Sequence, residues 1–228
     1  MLTSVVLILS FTEFKYDNQF ISFGDINILN SEDNFIDDIM ILNLIEEYED
    51  SITYMTSNQF NLNSLEKYLQ KQTTIKNVEV SINQNGVVNI DVLQRKPIVR
   101  IFTESKNYYL DEDARKMPFS SRYTSRLLLV NGDVEEQYHK EIFDFVQIIN
   151  SSAFWKAQIV QMYFIKNEVI LVPRVGEHKI YFGLLKDVNK KLDNLFHFYK
   201  YAMPLKGWDL YSEINLKYNN QIVCTKHI

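Results

Sequence analysis

The side chains of this 228-residue chain that could do chemistry are four histidines, one cysteine and a short acidic run. His139, His178, His197 and His227 stand far apart, and none has a second His or a Cys at the spacing of a metal-ligand pair. Asp111-Glu112-Asp113 begins like a calcium loop, but no glycine holds the sixth position and no glutamate closes the loop, so it reads as a solvated turn between two short strands. Cys224 lies between Val223 and Thr225 with no histidine close in front of it, the setting of a buried, inert thiol. The glycines are scattered singly, which leaves no phosphate-binding loop, and no Ser or Cys stands in a nucleophile-elbow context. Asn150-Ser151-Ser152 matches a glycosylation acceptor only formally. The expectation is a chain with no catalytic residue, no metal and no cofactor.

The bulk composition narrows the class further. A formal net charge of −5 argues against a general nucleic-acid binder, which needs a basic face to displace counterions from phosphates. A single cysteine cannot form an internal disulfide. Only 6 glycines and 4 prolines favour long regular elements over a loop-built fold. At the N-terminus "MLTSVVLILSF" is apolar from Val5 to Leu9, far short of the roughly 20 residues of a membrane-spanning helix. It also lacks the basic flank and cleavage site of a signal peptide. Taken alone, the stretch fits a buried strand, an apolar tail or the last turns of a longer helix.

Helical spacing predicts four helices. "NFIDDIMILNLIEEYE" places Ile36, Ile39, Met40, Leu44 and Tyr48 near one face, with Asp37 and Asp38 at the positive end of the dipole. "NSLEKYLQKQ" has Asn63 and Glu66 at capping-box spacing and turns Leu65, Tyr68 and Leu69 inward. "DVEEQYHKEIFDFVQII" repeats that device with Asp133 and Glu136, and "LLKDVNKKLDNLFHFYKYAM" carries Leu185, Val188, Leu192, Leu195, Phe196 and Tyr199 on one stripe. Such stripes are core faces before they are ligand sites.

Strands alternate between them. "NVEVSINQNGVVNIDVLQ" predicts a hairpin that reverses at Asn85-Gly86, through a type I′ turn with positive φ at both residues. "FISFGDINIL" is an earlier strand, "IVRIF", "NYYL", "KMPF" and "RLLLV" follow Pro97, and "IVQMYFIKNEVILVPRVGEHKIYF" is a meander turning near Asn167 and Gly176. The chain ends on "INLKYNNQIV", where Ile214, Leu216 and Tyr218 alternate with polar residues. A half-buried strand there either closes a sheet or waits as an edge for a partner. The order of elements predicts an α+β protein of two units, β-α-α-β-β over residues 20–96 and a mixed α/β unit over 97–228 with a mostly antiparallel sheet and two packed helices.

That order, together with four motifs, resembles the FtsQ/DivIB family of cell-division proteins. "LQRKPIVRIF" matches the basic pair and proline at the exit of the family's POTRA domain, with Arg95, Lys96 and Pro97. "YYLDEDARKMPF" resembles its Tyr-x-x-Asp turn, and "RLLLVNGDV" its Leu-Pro-x-(Leu/Val)-x-Gly segment, with Gly132 kept and the proline absent. "INLKYNNQIV" resembles the closing Ile-Asp-Leu-Arg-Tyr strand, with Asn215 and Lys217 replacing Asp and Arg. The ending is similar to that of the divergent Bacteroidetes-type group.

The resemblance implies a non-enzymatic scaffold of the divisome, single-pass in the bacterial inner membrane with its bulk in the periplasm. Residues 1–19 would be a remnant of the transmembrane and juxtamembrane segment, 20–96 a POTRA domain and 97–228 the FtsQ-type β domain. Its implied partners are FtsB-like and FtsL-like proteins, captured by strand addition at the C-terminus, with Ile214, Leu216, Lys217, Tyr218, Asn220 and Ile222 as the binding residues. For Leu216 and Ile222 plain core packing is the competing role, and for Lys217 a solvated charge. Two other readings stand beside this one: a POTRA-bearing periplasmic chaperone or secretion factor, and an enzyme of unknown type.

Overall fold

The computed structural model describes residues 19–30, 35–48, 55–120 and 127–227. The expectation for residues 1–19 therefore lies almost wholly outside the described residues. Among these, no helix is long and apolar enough to cross a membrane, which says nothing of β-barrels. The chain forms two compact units that change over between Arg95 and Lys96.

The first unit runs β1 (Ser22–Ile28), α1 (Asp38–Tyr48), α2 (Leu62–Gln70), β2 (Ile75–Ile82) and β3 (Val87–Gln94), the β-α-α-β-β order expected of a POTRA domain. The sheet order is β1-β3-β2, with β1 parallel and β2 antiparallel to β3. A parallel pair needs a long crossover, and the two helices belong to it. Ile41, Ile45, Leu65 and Leu69 from the helices and Val78, Val80, Val88, Ile90 and Val92 from the strands are buried. The amide of buried Gln94 ties the end of β3 to the approach to α1. Phe35 N and Ile36 N donate to its Oε1 at 3.0 and 3.3 Å, and its Nε2 donates to Asn30 O at 2.6 Å.

Three local expectations need correction here. Ile39 is 66% exposed and α1 buries Ile41 and Ile45 instead, because the helix has more apolar residues than one face can hold and packing selects the phase. The cap of α2 is Asn61, whose side chain accepts the Ser64 N–H at 3.0 Å, while Glu66 accepts the Val80 N–H at 3.3 Å. The β2–β3 hairpin has a three-residue loop, with Asn83 N donating to Val87 O and Gly86 N to Asn83 O. Only Gly86 has positive φ, at 74°, so this is a type I turn closed by a left-handed glycine rather than a type I′ turn.

The second unit is one nine-stranded sheet. Its strands are β4 (Pro97–Phe102), β5 (Asn107–Asp111), β6 (Lys116–Pro118), β7 (Leu128–Gly132), β8 (Ile159–Ile165), β9 (Glu168–Pro173), β10 (Lys179–Gly183), β11 (Tyr211–Asn215) and β12 (Val223–Lys226). Their order is β12-β11-β10-β9-β8-β7-β4-β5-β6. Most neighbours are antiparallel, and β4–β7, β7–β8 and β10–β11 are parallel. α3 (His139–Ser151) and α4 (Ala153–Gln158) carry the chain from β7 to β8, and α5 (Val188–Tyr201) and α6 (Met203–Lys206) carry it from β10 to β11.

Ile142, Phe145, Val146, Ile149, Leu192, Leu195 and Tyr199 from these helices share one core with Val99, Ile101, Val130, Met162, Phe164, Leu171, Ile180, Phe182 and Ile214 of the sheet. Burying each large apolar side chain contributes about 1.5–3 kcal/mol. The helix before β8 is not capped by Asp133. A 3₁₀ turn over Glu136–Tyr138 precedes α3, and Asp133 Oδ2 accepts the Lys166 N–H at 3.0 Å instead. Asp111 Oδ1 accepts from Asp113 N at 2.9 Å and Arg115 N at 2.7 Å, so the acidic run is a turn. Among the described residues no group of acidic, His or Cys side chains is arranged to hold a metal.

Candidate partner-binding site

The C-terminal residues singled out above do not lie on one edge strand. β11 ends at Asn215, and it is interior, with β10 parallel on one side and β12 antiparallel on the other. Ile214 is fully buried opposite Ile180 and Cys224. Leu216 is buried and donates its N–H to Tyr181 O at 3.0 Å. Both paired sides of β11 rule it out as the expected exposed edge. Alternation reports that one face of a strand is buried and carries no information on whether its edges are taken.

The remaining members form the connection to β12. Lys217 is exposed, its Nζ lies 3.1 Å from Glu168 Oε2, and its stem passes over Gly183. Tyr218 is 52% exposed, Asn220 sits in the turn with φ 59°, and Ile222 is half-buried against the core. The expected edge therefore falls one strand too early, on β11 instead of β12. The run "IVCTK" that resumes after the polar turn Asn219-Asn220-Gln221 forms the separate strand β12, which pairs back on β11.

Among the described residues, the free edge of the sheet at this end is β12. His227 N donates to Leu210 O at 3.1 Å, toward β11. Alternation then turns the N–H groups of Val223 and Thr225 toward β11 and those of Cys224 and Lys226 to the open side. On the side chains, Thr225 Oγ1 donates to Glu213 Oε2 at 3.2 Å, and Val223 is exposed. Beside the β11–β12 connection runs a groove of about 370 Å³ lined by Asn194, His197, Tyr201, Asn220 and Ile222. His197 and Tyr201 stack there with ring centroids 6.0 Å apart.

Buried polar contacts hold this corner. Lys191 Nζ donates to Phe182 O and Leu184 O, both at 2.8 Å, fixing the end of β10 to α5, and burial lowers its pKa. His178 Nε2 and the Tyr199 hydroxyl share a 2.6 Å hydrogen bond beneath Trp208, while His178 Nδ1 is buried with no partner among the described residues. Burial pushes the His178 imidazole down to about 4 and the Tyr199 phenol well above its ordinary value. Cys224 is half-buried and burial raises its thiol pKa, which suits an inert side chain.

The FtsQ/DivIB, C-terminal related family matches residues 96–225. Among solved structures, the major extracytoplasmic domain of the trans isomer of the bacterial cell division protein DivIB from Geobacillus stearothermophilus is similar, at 14% identity and a TM-score of 0.33, over 49% of this chain and 93% of that one. No curated protein matches the chain. The family match spans more than half of the chain and contains all the strands from β4 to β11, and the chain therefore belongs to the FtsQ/DivIB, C-terminal related family of cell-division proteins.

Proposed function

We propose that this chain is a non-enzymatic scaffold of the bacterial division machinery that captures an FtsB-like and FtsL-like pair by adding a partner segment as a further strand beside β12. Family membership supports the division role, and also a membrane-anchored protein with its bulk in the periplasm. The observation that carries the binding mode is the side of β12, at the end of the nine-stranded sheet, on which no described strand pairs. An open strand offers a row of donors and acceptors, so main-chain bonds supply affinity and alternate side chains supply specificity. Val223 and Thr225 on one face and Cys224 toward the core leave Lys226 and the Tyr218–Ile222 turn as the neighbouring side-chain contacts.

Hydrogen exchange with and without the periplasmic parts of the FtsB–FtsL pair tests this reading. The amides of Cys224 and Lys226 should gain protection on binding, while those of Val223 and Thr225, already turned toward β11, change little. Complex formation without protection at Cys224 and Lys226 would reject strand addition at this edge.

A further inference from the structure

The same sheet opens a second surface far from β12. β4, β7 and β8 lie side by side in parallel. Past their carboxyl ends the chain leaves in opposite directions, from β4 through Thr103–Lys106 to β5 and from β7 through Gly132–Tyr138 to α3. Connections that diverge from adjacent parallel strands leave a crevice at their carboxyl ends. Here it measures about 1040 Å³ and is open to solvent. Glu104, Asp133 and Glu135 stand on it, and Phe102, Tyr138 and Tyr163 supply aromatic surface. Against the three carboxylates the described lining residues supply one ammonium, Lys166, and the Arg100 guanidinium already lies 5.6 Å from the Phe102 ring, which leaves exposed Tyr163 as the open aromatic face.

The loops that build the crevice are fixed in place. Gly132 has φ 89°, and a Cβ there would collide with Phe164 O. Asp133 N donates to Phe164 O at 3.0 Å, and its carboxylate holds the Lys166 N–H. Thr103 N donates to Lys106 O at 2.8 Å, and Lys106 N returns a bond to Thr103 Oγ1 at 3.1 Å. Glu104 and Glu135 are exposed at the ends of these loops.

We propose that this crevice is a second protein-docking site, which takes a lysine- or arginine-bearing extended segment of a protein partner. Charge complementarity selects the occupant: the carboxylates attract a cation, and aromatic faces favour an ammonium or guanidinium held over them. A phosphate would meet three like charges. A crevice of this volume that lies open to solvent suits a polypeptide rather than an enclosed small molecule. β8 lies four strands from β12, roughly 19 Å at about 4.8 Å per strand. A segment here and a strand on β12 can therefore be held together, and the two readings stand or fall separately.

The test is an amide-resolved NMR titration of the full chain with acetylated hexa-arginine amide. Shifts should concentrate at Thr103–Ser105, Gly132–Glu135 and Lys166–Asn167. A Glu104→Lys/Glu135→Lys variant should bind at least tenfold more weakly, while Glu46→Lys/Glu47→Lys, an equal charge change at exposed sites on α1, should stay within twofold of the parent. Equal weakening in both variants would reduce the effect to net charge and overturn the proposal. Shifts centred elsewhere, inorganic phosphate perturbing the same amides, or a dimer that buries the crevice would overturn it as well.

Discussion

The edge at β12 and the crevice beyond β4, β7 and β8 are open surfaces of one sheet, yet they expose different parts of the chain. At β12 the unspent groups are main-chain donors and acceptors. In the crevice the main chain is largely spent, with Asp133 N, Lys166 N and Thr103 N bonded within the loops, and carboxylates and rings face outward. A surface of the first kind recognises extended backbone and depends little on salt; one of the second kind recognises charge and weakens as salt rises. The comparison can be broken by perturbing one surface and finding that the other responds.

Gly132→Ala should have the largest effect. Its positive φ strains any side chain, and the added Cβ meets a main-chain carbonyl, so strain and overpacking sum to on the order of 4 kcal/mol. Chemical denaturation measures that loss. In the folded fraction the hexa-arginine site should be disturbed and FtsB–FtsL binding retained; loss of both together would mean that the two surfaces are mechanically one.

Acid should act on the opposite end. The folded-state pKa of His178 is depressed to about 4 from an ordinary 6.5. Above pH 6.5 both states are neutral there and His178 adds no pH dependence. Between pH 6.5 and 4 the unfolded chain takes a proton that the folded chain refuses, so stability falls by about 3 kcal/mol, at about 1.4 kcal/mol per unit of displacement. Urea unfolding at pH 7.5 and 4.5 should show the decline, and His178→Gln should remove this part of it. His178 packs against Trp208 and Tyr199 in the connections flanking β10 and β11, so hydrogen exchange at low pH should open β11 and β12 before β4, β7 and β8.

The edge itself is addressed by a pair of prolines. Lys226→Pro removes an N–H that faces the open side and should weaken FtsB–FtsL binding at least tenfold, about 1.4 kcal/mol, with little change in unfolding. Thr225→Pro removes an N–H that faces β11 and should chiefly lower stability, by about 1–2 kcal/mol. Interchanged results would place the open side on the other set of residues.

How far the sequence led differs between the two surfaces for the same reason that they expose different groups. Strand positions, the two crossover helices and the hairpin at Gly86 are local patterns, and alternation or helical spacing made them legible. The edge was half legible: the polar turn at Asn219-Asn220 and the strand after it were visible, but which strand ends the sheet depends on β11 pairing with β10 across the 27 residues between Gly183 and Tyr211. The crevice was not legible, because it exists only once β4, β7 and β8 lie parallel. Gly132 after "LLLVN" was its one local trace. Capping was misread at Asn63 and Asp133 because spacing alone cannot tell a cap from a side chain bonded to a distant strand, as Glu66 and Asp133 are.

Lys217 gives the smallest expected effect and the finest discrimination. Its ammonium already sits 3.1 Å from Glu168, and both side chains are substantially exposed, so the pair contributes no more than about 0.5 kcal/mol to the fold. Lys217→Gln and Glu168→Gln should therefore unfold like the parent in a thermal melt. Their effects on FtsB–FtsL binding separate the two roles open to Lys217. If it offers its charge to a partner carboxylate, Lys217→Gln weakens binding and Lys217→Glu weakens it further, while Glu168→Gln frees the ammonium and strengthens binding about twofold. All three effects should shrink together as salt is raised, unlike the loss in Lys226→Pro, because an exposed ion pair is screened and a main-chain hydrogen bond is not. Identical calorimetric affinities for all three variants would leave Lys217 as a surface charge covering Gly183, and the edge would then bind through its backbone alone.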